Sequence, residues 1–148
     1  MGADITAYDK DGQLAAVIEV KNRMGTSRDW ATETRQILYS NGLVPKARFF
    51  LFAMPDRIYC WKNNASASEA VEPDYEIDAR PILEPYFRRS GLKPESLMGN
   101  TFSFLVASWL SELILADRLG THPQPDWLTE SGLVDAIRDG RLAYESQS

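Results

Sequence analysis

The sequence predicts an α/β fold in which a small mixed β-sheet carries helices on both faces. Two apolar runs, at residues 15–20 and 48–54, are typical of buried strands. Between them, residues 27–41 have apolar positions at helical spacing, as expected of a crossover helix that joins two parallel strands. The broadest apolar helical stripe follows at residues 100–118 and must be buried against the sheet or another subunit.

The first two strands are expected to form a hairpin that brings charged residues together. Residues 4–8 resemble a strand, and Asp9-Lys10-Asp11-Gly12 is typical of a turn. Antiparallel pairing would then return Glu19 and Lys21, which share one face of the second strand, towards Asp4. Burying such charges costs free energy unless they are paired or bind a ligand. The alternative interpretation is a salt bridge at the end of a strand.

Asp4 together with Glu19-Val20-Lys21 resembles the motif of the PD-(D/E)XK superfamily, the restriction-endonuclease-like nucleases. That family has an Asp opening one strand and Glu-x-Lys near the end of the next, and Ala3 stands here where Pro is common. The resemblance covers residues 1–62 and implies a restriction-endonuclease-like mixed sheet. It further implies that Asp4, Glu19 and the Val20 carbonyl ligate Mg²⁺ or Mn²⁺, that Lys21 orients or activates water, and that DNA is the substrate.

Two further residues gain a possible role only through the resemblance. Gln36 and Tyr39 lie near the position of a glutamine and tyrosine motif in some members, with a spacing one residue shorter than the common form. An exposed helical glutamine is the alternative for Gln36. The family usually has a helix before the first strand, and the helix at residues 100–118 is our candidate for its place, with Glu112 as a remote additional ligand.

A length of 148 residues favours one domain. We expect a motif-bearing core at residues 1–62, an acidic loop at 63–78 and a helical part at 79–148, where Pro85 breaks or bends a short helix. The only cysteine, Cys60, excludes an internal disulfide and is expected to pack in a strand. No apolar run has the length of a membrane span, and we expect a cytoplasmic protein.

The charge distribution permits DNA binding on one half of the chain. The formal net charge is −5, yet residues 1–62 hold nine Lys and Arg against seven Asp and Glu, while residues 63–148 hold seven against fourteen. Together with the resemblance of the motif and the order of the elements, this basic bias makes a metal-dependent nuclease the first hypothesis. The alternative is a non-catalytic binding or assembly module of the same fold, which could form a homodimer through the apolar helix or residues 49–52.

Overall fold

The computed structural model describes residues 4–62, 69–94, 101–116 and 125–144. These residues form an open six-stranded mixed sheet with strand order β5-β4-β3-β2-β1-β6. The strands are β1 (Ile5–Tyr8), β2 (Leu14–Val20), β3 (Phe49–Ala53), β4 (Arg57–Trp61), β5 (Tyr75–Asp78) and β6 (Arg141–Tyr144). The described helices are α1 (Arg28–Ser40), α2 (Arg80–Ser90), α3 (Thr101–Ile114), α4 (Asp126–Glu130) and α5 (Leu133–Ile137).

Strands β1 and β2 form the predicted antiparallel hairpin. Ile5 is the register partner of Ile18, and Ala7 that of Ala16. The turn is closed by Asp9, whose Oδ1 accepts hydrogen bonds from the main-chain N–H groups of Asp11 and Gln13, both at 2.9 Å. A short carboxylate that bonds the backbone two residues on is a common turn device, and it explains why this sequence reverses direction here.

Helix α1 is the predicted crossover between the parallel strands β2 and β3. Ser27 caps the start of the helix: its Oγ accepts a hydrogen bond from the Trp30 N–H at 3.0 Å. The helix ends at Ser40, and Gly42 then takes a φ of 65°. That left-handed conformation costs glycine little, so the chain can turn towards β3.

Each face of the sheet is covered by helices, as the sequence predicted. On one face, Phe50, Phe52 and Trp61 pack with Trp30 and Tyr39 of α1. On the other face, the side chains of β1 to β4 pack with apolar residues of α2, α3, α4 and α5. The fold is therefore α/β with a mixed sheet between two helical layers.

Two short strands correct the predicted division of the chain. The expected acidic loop at 63–78 ends in β5, which pairs antiparallel with β4, and its residues 63–68 lie outside the described ranges. The expected helical part at 79–148 ends in β6, which pairs antiparallel with β1. Both strands have four residues and little buried surface. These two strands depend on pairing with strands elsewhere in the sequence, so their local sequence pattern does not predict them.

Helix α2 continues through Pro85, so of the two predicted alternatives, a break or a bend at this residue, the break is wrong. Leu83 and Phe87, on either side of the proline, are both buried in the core. Their packing compensates for the hydrogen bond that a proline cannot donate.

The apolar side chains that suggested a subunit interface are buried within this chain. Phe49, Phe50, Leu51 and Phe52 are fully buried in the sheet, and the stripe of α3 packs on its own core. Phe104 is an exception, with 67% of its surface exposed. Within the described ranges, the helices are too short or too polar to span a membrane.

Gly140 provides a test of the β1–β6 pairing. A Cβ at this position would overlap the carbonyl oxygen of Tyr8, a backbone atom that cannot rotate away. We expect Gly140→Ala to lower the free energy of unfolding by about 3 kcal/mol, which corresponds to a fall in Tm of about 10 °C.

Gly42→Ala is the matched control for thermal unfolding. It places the same methyl group in open space and adds only the strain of a positive φ, about 1 kcal/mol. Equal melting temperatures for the two variants would contradict the close approach of β6 to β1.

Candidate functional site

The motif residues meet at one edge of the sheet. Strands β2 and β3 are parallel, so their carboxyl ends share this edge. Strand β1 runs antiparallel to β2 and therefore begins here, which places Asp4 beside the end of β2. Glu19 shares a face with Val17, two residues earlier, which packs in the core beneath α1.

Two hydrogen bonds run in opposite directions between Asp4 and the end of β2. The main-chain N–H of Asp4 donates to Oε2 of Glu19 at 2.9 Å. The main-chain N–H of Val20 donates to Oδ2 of Asp4 at 2.8 Å. Each carboxylate thus accepts a hydrogen bond from the other strand, and the pair of bonds holds both acidic groups at the same point of the hairpin.

Glu19 is the buried member of this pair. Only 6% of its surface is exposed. Burial raises the pKa of the Glu19 carboxyl because it disfavours the charged form, and the nearby charge of Asp4 acts in the same direction. The Asp4 N–H and the Lys21 ammonium oppose these effects and lower the pKa. The carboxylate charge of Glu19 is therefore held in an unfavourable environment that a cation would improve.

Lys21 lies beside Glu19 and also reaches solvent. Its Nζ is 4.0 Å from Oε1 of Glu19, and 38% of its side chain is exposed. The main chain of Lys21 is fixed to β3, because its N–H donates to the Ala53 carbonyl at 3.0 Å. A flexible side chain on a fixed backbone can contact Glu19 and a bound ligand at the same point.

Gln36 lies half-buried on α1, over the same face of the sheet. Two ring contacts show where Gln36 lies along the direction of the strands. Trp30 packs on Phe52, the register partner of Glu19, whereas Tyr39 packs on Phe50, one pair further from the edge. Gln36 is three residues from Tyr39 and six from Trp30, or about 4.5 and 9 Å along the helix axis. Its role in the site stays a prediction.

The loop of residues 21–27, between β2 and α1, is fastened to the neighbouring strands at two points. The Gly25 N–H donates to Oδ2 of Asp56, in the turn between β3 and β4, at 3.0 Å. The Tyr59 hydroxyl lies 3.2 Å from both the hydroxyl and the carbonyl oxygen of Thr26. Sequence reasoning missed both contacts, since neither Asp56 nor Tyr59 has a local signal for a contact with this loop.

Two other residues that the sequence singled out make structural contacts away from this site. Glu112 accepts a hydrogen bond from the Tyr86 hydroxyl at 2.9 Å and pairs with Arg89 at 3.1 Å, which joins α3 to α2 on the face opposite α1. Cys60 is buried in β4, and this burial raises the pKa of its thiol to about 12. The thiol is therefore protonated at neutral pH and packs as a small apolar group, as expected.

The carboxylates of Asp4 and Glu19 suit a hard divalent cation whose remaining ligands are water or substrate oxygens. Within the described part of the chain, His, Cys, Asp and Glu side chains form no cluster of three that could hold a metal. Asp4 and Glu19 supply two carboxylates, and each retains acceptor capacity beyond its main-chain hydrogen bond. Mg²⁺ characteristically uses one or two carboxylates and completes its coordination with water and phosphate oxygens.

Comparisons with known proteins add no assignment. No family model matches the sequence, and neither a curated protein nor a solved structure matches the chain.

The raised pKa of Glu19 predicts how stability depends on pH in the absence of divalent cations. Above the unfolded Glu pKa of about 4.3, the native state retains a proton that the unfolded chain has released. The free energy of unfolding should therefore decrease as pH rises from that value through the raised native pKa, and Glu19 should contribute no further change above it.

Glu19→Gln removes this proton and keeps a carbonyl oxygen that can accept from the Asp4 N–H. We expect the variant to gain stability relative to the wild type as pH rises through the same interval, measured by urea unfolding between pH 4 and 8. If the free energies of unfolding of the wild type and Glu19→Gln differ by the same amount at every pH, the burial of a charge at Glu19 is contradicted.

Proposed function

We propose that this chain is a metal-dependent nuclease of the restriction-endonuclease-like kind, which hydrolyses DNA phosphodiester bonds. The observation that supports this most directly is the exchange of hydrogen bonds between Asp4 and the end of β2, with Lys21 beside Glu19. Two carboxylates and an ammonium group at one edge of a sheet form a constellation suited to phosphodiester chemistry.

Asp4, Glu19 and the carbonyl oxygen of Val20 would hold Mg²⁺ or Mn²⁺. When bound, the cation lowers the pKa of a coordinated water and neutralises charge on the phosphodiester. The burial of Glu19 excludes competing water from its carboxylate, which strengthens its attraction for a cation. The hydrogen bond from the Val20 N–H orients the Asp4 carboxylate before any ligand arrives.

Lys21 has the reach and the charge to act on the attacking water or on the developing phosphate charge. Its ammonium group is a compact cation on a flexible stem, and its main chain is fixed to β3. In this proposal Lys21 moves between Glu19 and the substrate. Gln36 is assigned a supporting role on α1, where it could donate to or accept from groups above the sheet.

The order of elements also supports the specific fold. A hairpin bearing the motif is followed by a crossover helix and a parallel strand, as in the family that the motif resembles. Helix α3 packs against β2 and β6 on the face opposite α1. In this proposal it takes the place of the family's first helix.

A nicking assay tests the proposed activity. The wild type should convert supercoiled plasmid to the nicked form with Mg²⁺ or Mn²⁺ and not with EDTA. Asp4→Asn and Glu19→Gln should abolish nicking, because each removes one anionic ligand. Lys21→Ala should slow it by about 10²–10⁴-fold, the range of a positioned proton-transfer group.

Glu112→Gln is the matched control, because it makes the same carboxylate-to-amide change on the opposite face of the sheet. It should nick like the wild type. If a folded wild type leaves the plasmid intact at every metal concentration, the non-catalytic module is favoured. If all four variants nick at the wild-type rate, the activity does not come from this site.

A further inference from the structure

An arginine stacked on a tryptophan lies next to the candidate site. The Arg23 guanidinium carbon is 5.3 Å from the ring centroid of Trp30, in the first turn of α1. Arg23 is exposed, and it follows Lys21 by two residues, or at most about 7 Å of chain. It has no carboxylate partner within ion-pair distance among the residues that the structure describes.

The arginine next along the chain is in a different situation. Arg28 pairs with Glu72 at 3.3 Å and with Glu76 at 3.8 Å, and it donates to the Pro73 carbonyl at 2.9 Å. Its charge is compensated within the protein. Unlike Arg28, Arg23 therefore has N–H groups that remain available for an external anion.

The contact with Trp30 prepares Arg23 for such a ligand. The attraction between the ring and the cation restricts the guanidinium group, and the planar fork of N–H donors of an arginine matches the oxygens of a phosphate. The guanidinium of Arg23 lies over the Trp30 ring, and this ring also contacts Phe52 in the core, with ring centroids 5.2 Å apart, so a nucleotide base would compete with Arg23 for the ring. This arrangement favours phosphate as the ligand rather than a base.

The hydrogen bonds that hold the loop restrict the position of Arg23. Asp56 holds the Gly25 N–H and Tyr59 holds Thr26, so the chain on the far side of Arg23 is fixed to the sheet. Lys21, on the near side, is fixed to β3 through its main-chain N–H. Less conformational freedom is then lost when a ligand binds.

We propose that Arg23, held by Trp30, binds the phosphate backbone of duplex DNA beside the site formed by Asp4, Glu19 and Lys21. This inference rests on the proposed function for its substrate, but it concerns binding and not bond cleavage. Asp56 and Tyr59 are positioning residues, because they act on Arg23 through the loop.

The test is fluorescence anisotropy with a labelled DNA duplex, in the Glu19→Gln background so that the probe is not cut. Arg23→Ala should weaken binding about tenfold, the loss of one charge-assisted contact. It should also reduce the slope of log affinity against log salt by about 0.9, the value for one phosphate contact. Arg23→Lys should retain the slope and bind more weakly than arginine, because it lacks the planar fork.

Arg88→Ala is the matched control. Arg88 is an exposed arginine on α2, on the opposite face of the sheet, and its removal changes the net charge equally. It should leave affinity and salt slope unchanged. Equal effects of Arg23→Ala and Arg88→Ala, or no effect of either, would overturn the inference.

A nicking assay on proteins that retain Glu19, with and without Arg23→Ala, separates this inference from the proposed function. Binding that depends on Arg23 without metal-dependent nicking supports the phosphate contact and rejects the nuclease. Nicking with no effect of Arg23→Ala on duplex affinity supports the nuclease and rejects the contact. A folded protein that neither binds nor nicks the duplex rejects both.

Discussion

The carboxylate of Glu19 is buried at the end of a central strand, and the surrounding groups compensate for that burial. The Asp4 N–H donates to Glu19, Asp4 accepts from Val20, and Lys21 lies beside the buried acid. All these contacts depend on the register of β1 and β2. Because a slip of one residue would turn Glu19 and Lys21 to the other face, the hairpin determines whether the site exists.

The rest of the fold keeps that hairpin in place. Strand β3 holds β2 on one side, and β6 extends the sheet beyond β1 on the other. On the α1 face, the guanidinium of Arg35 is almost fully buried between the rings of Tyr39 and Trp61, at 5.2 and 5.5 Å. Burial lowers the pKa of Arg35, and the two rings offset part of the cost of burying its charge. Helix α1 is thereby fixed above the strands, and the loop before it is fixed with it.

The elements that sequence reasoning predicted are those with strong local signals. The turn at residues 9–12, the helical spacing at residues 27–41 and the apolar run of β3 each carry their own pattern, so the hairpin and crossover were predictable. The placement of Asp4 beside Glu19 followed from strand polarity. Strand β5 alternates half-buried and exposed residues, two of them acidic, and only its partner β4 makes it a strand.

Contacts that cross the sheet were not predictable from local pattern. Tyr59 reaches Thr26 and Asp56 reaches Gly25 across more than thirty residues of sequence, and neither contact follows from periodicity. The burial of Arg35 was missed for a similar reason, since arginine on a helix is usually exposed. Such contacts depend on tertiary packing, which a single sequence does not display.

Calorimetric titration tests the claim that Asp4 and Glu19 form one cation site. With Mg²⁺ or Mn²⁺ at neutral pH, the wild type should bind a single cation. Asp4→Asn and Glu19→Gln should each weaken that binding by at least about tenfold, since altering even groups that only support metal ligands has effects of this size. Absence of binding to a folded wild type, or unchanged affinity in both variants, would contradict the claim.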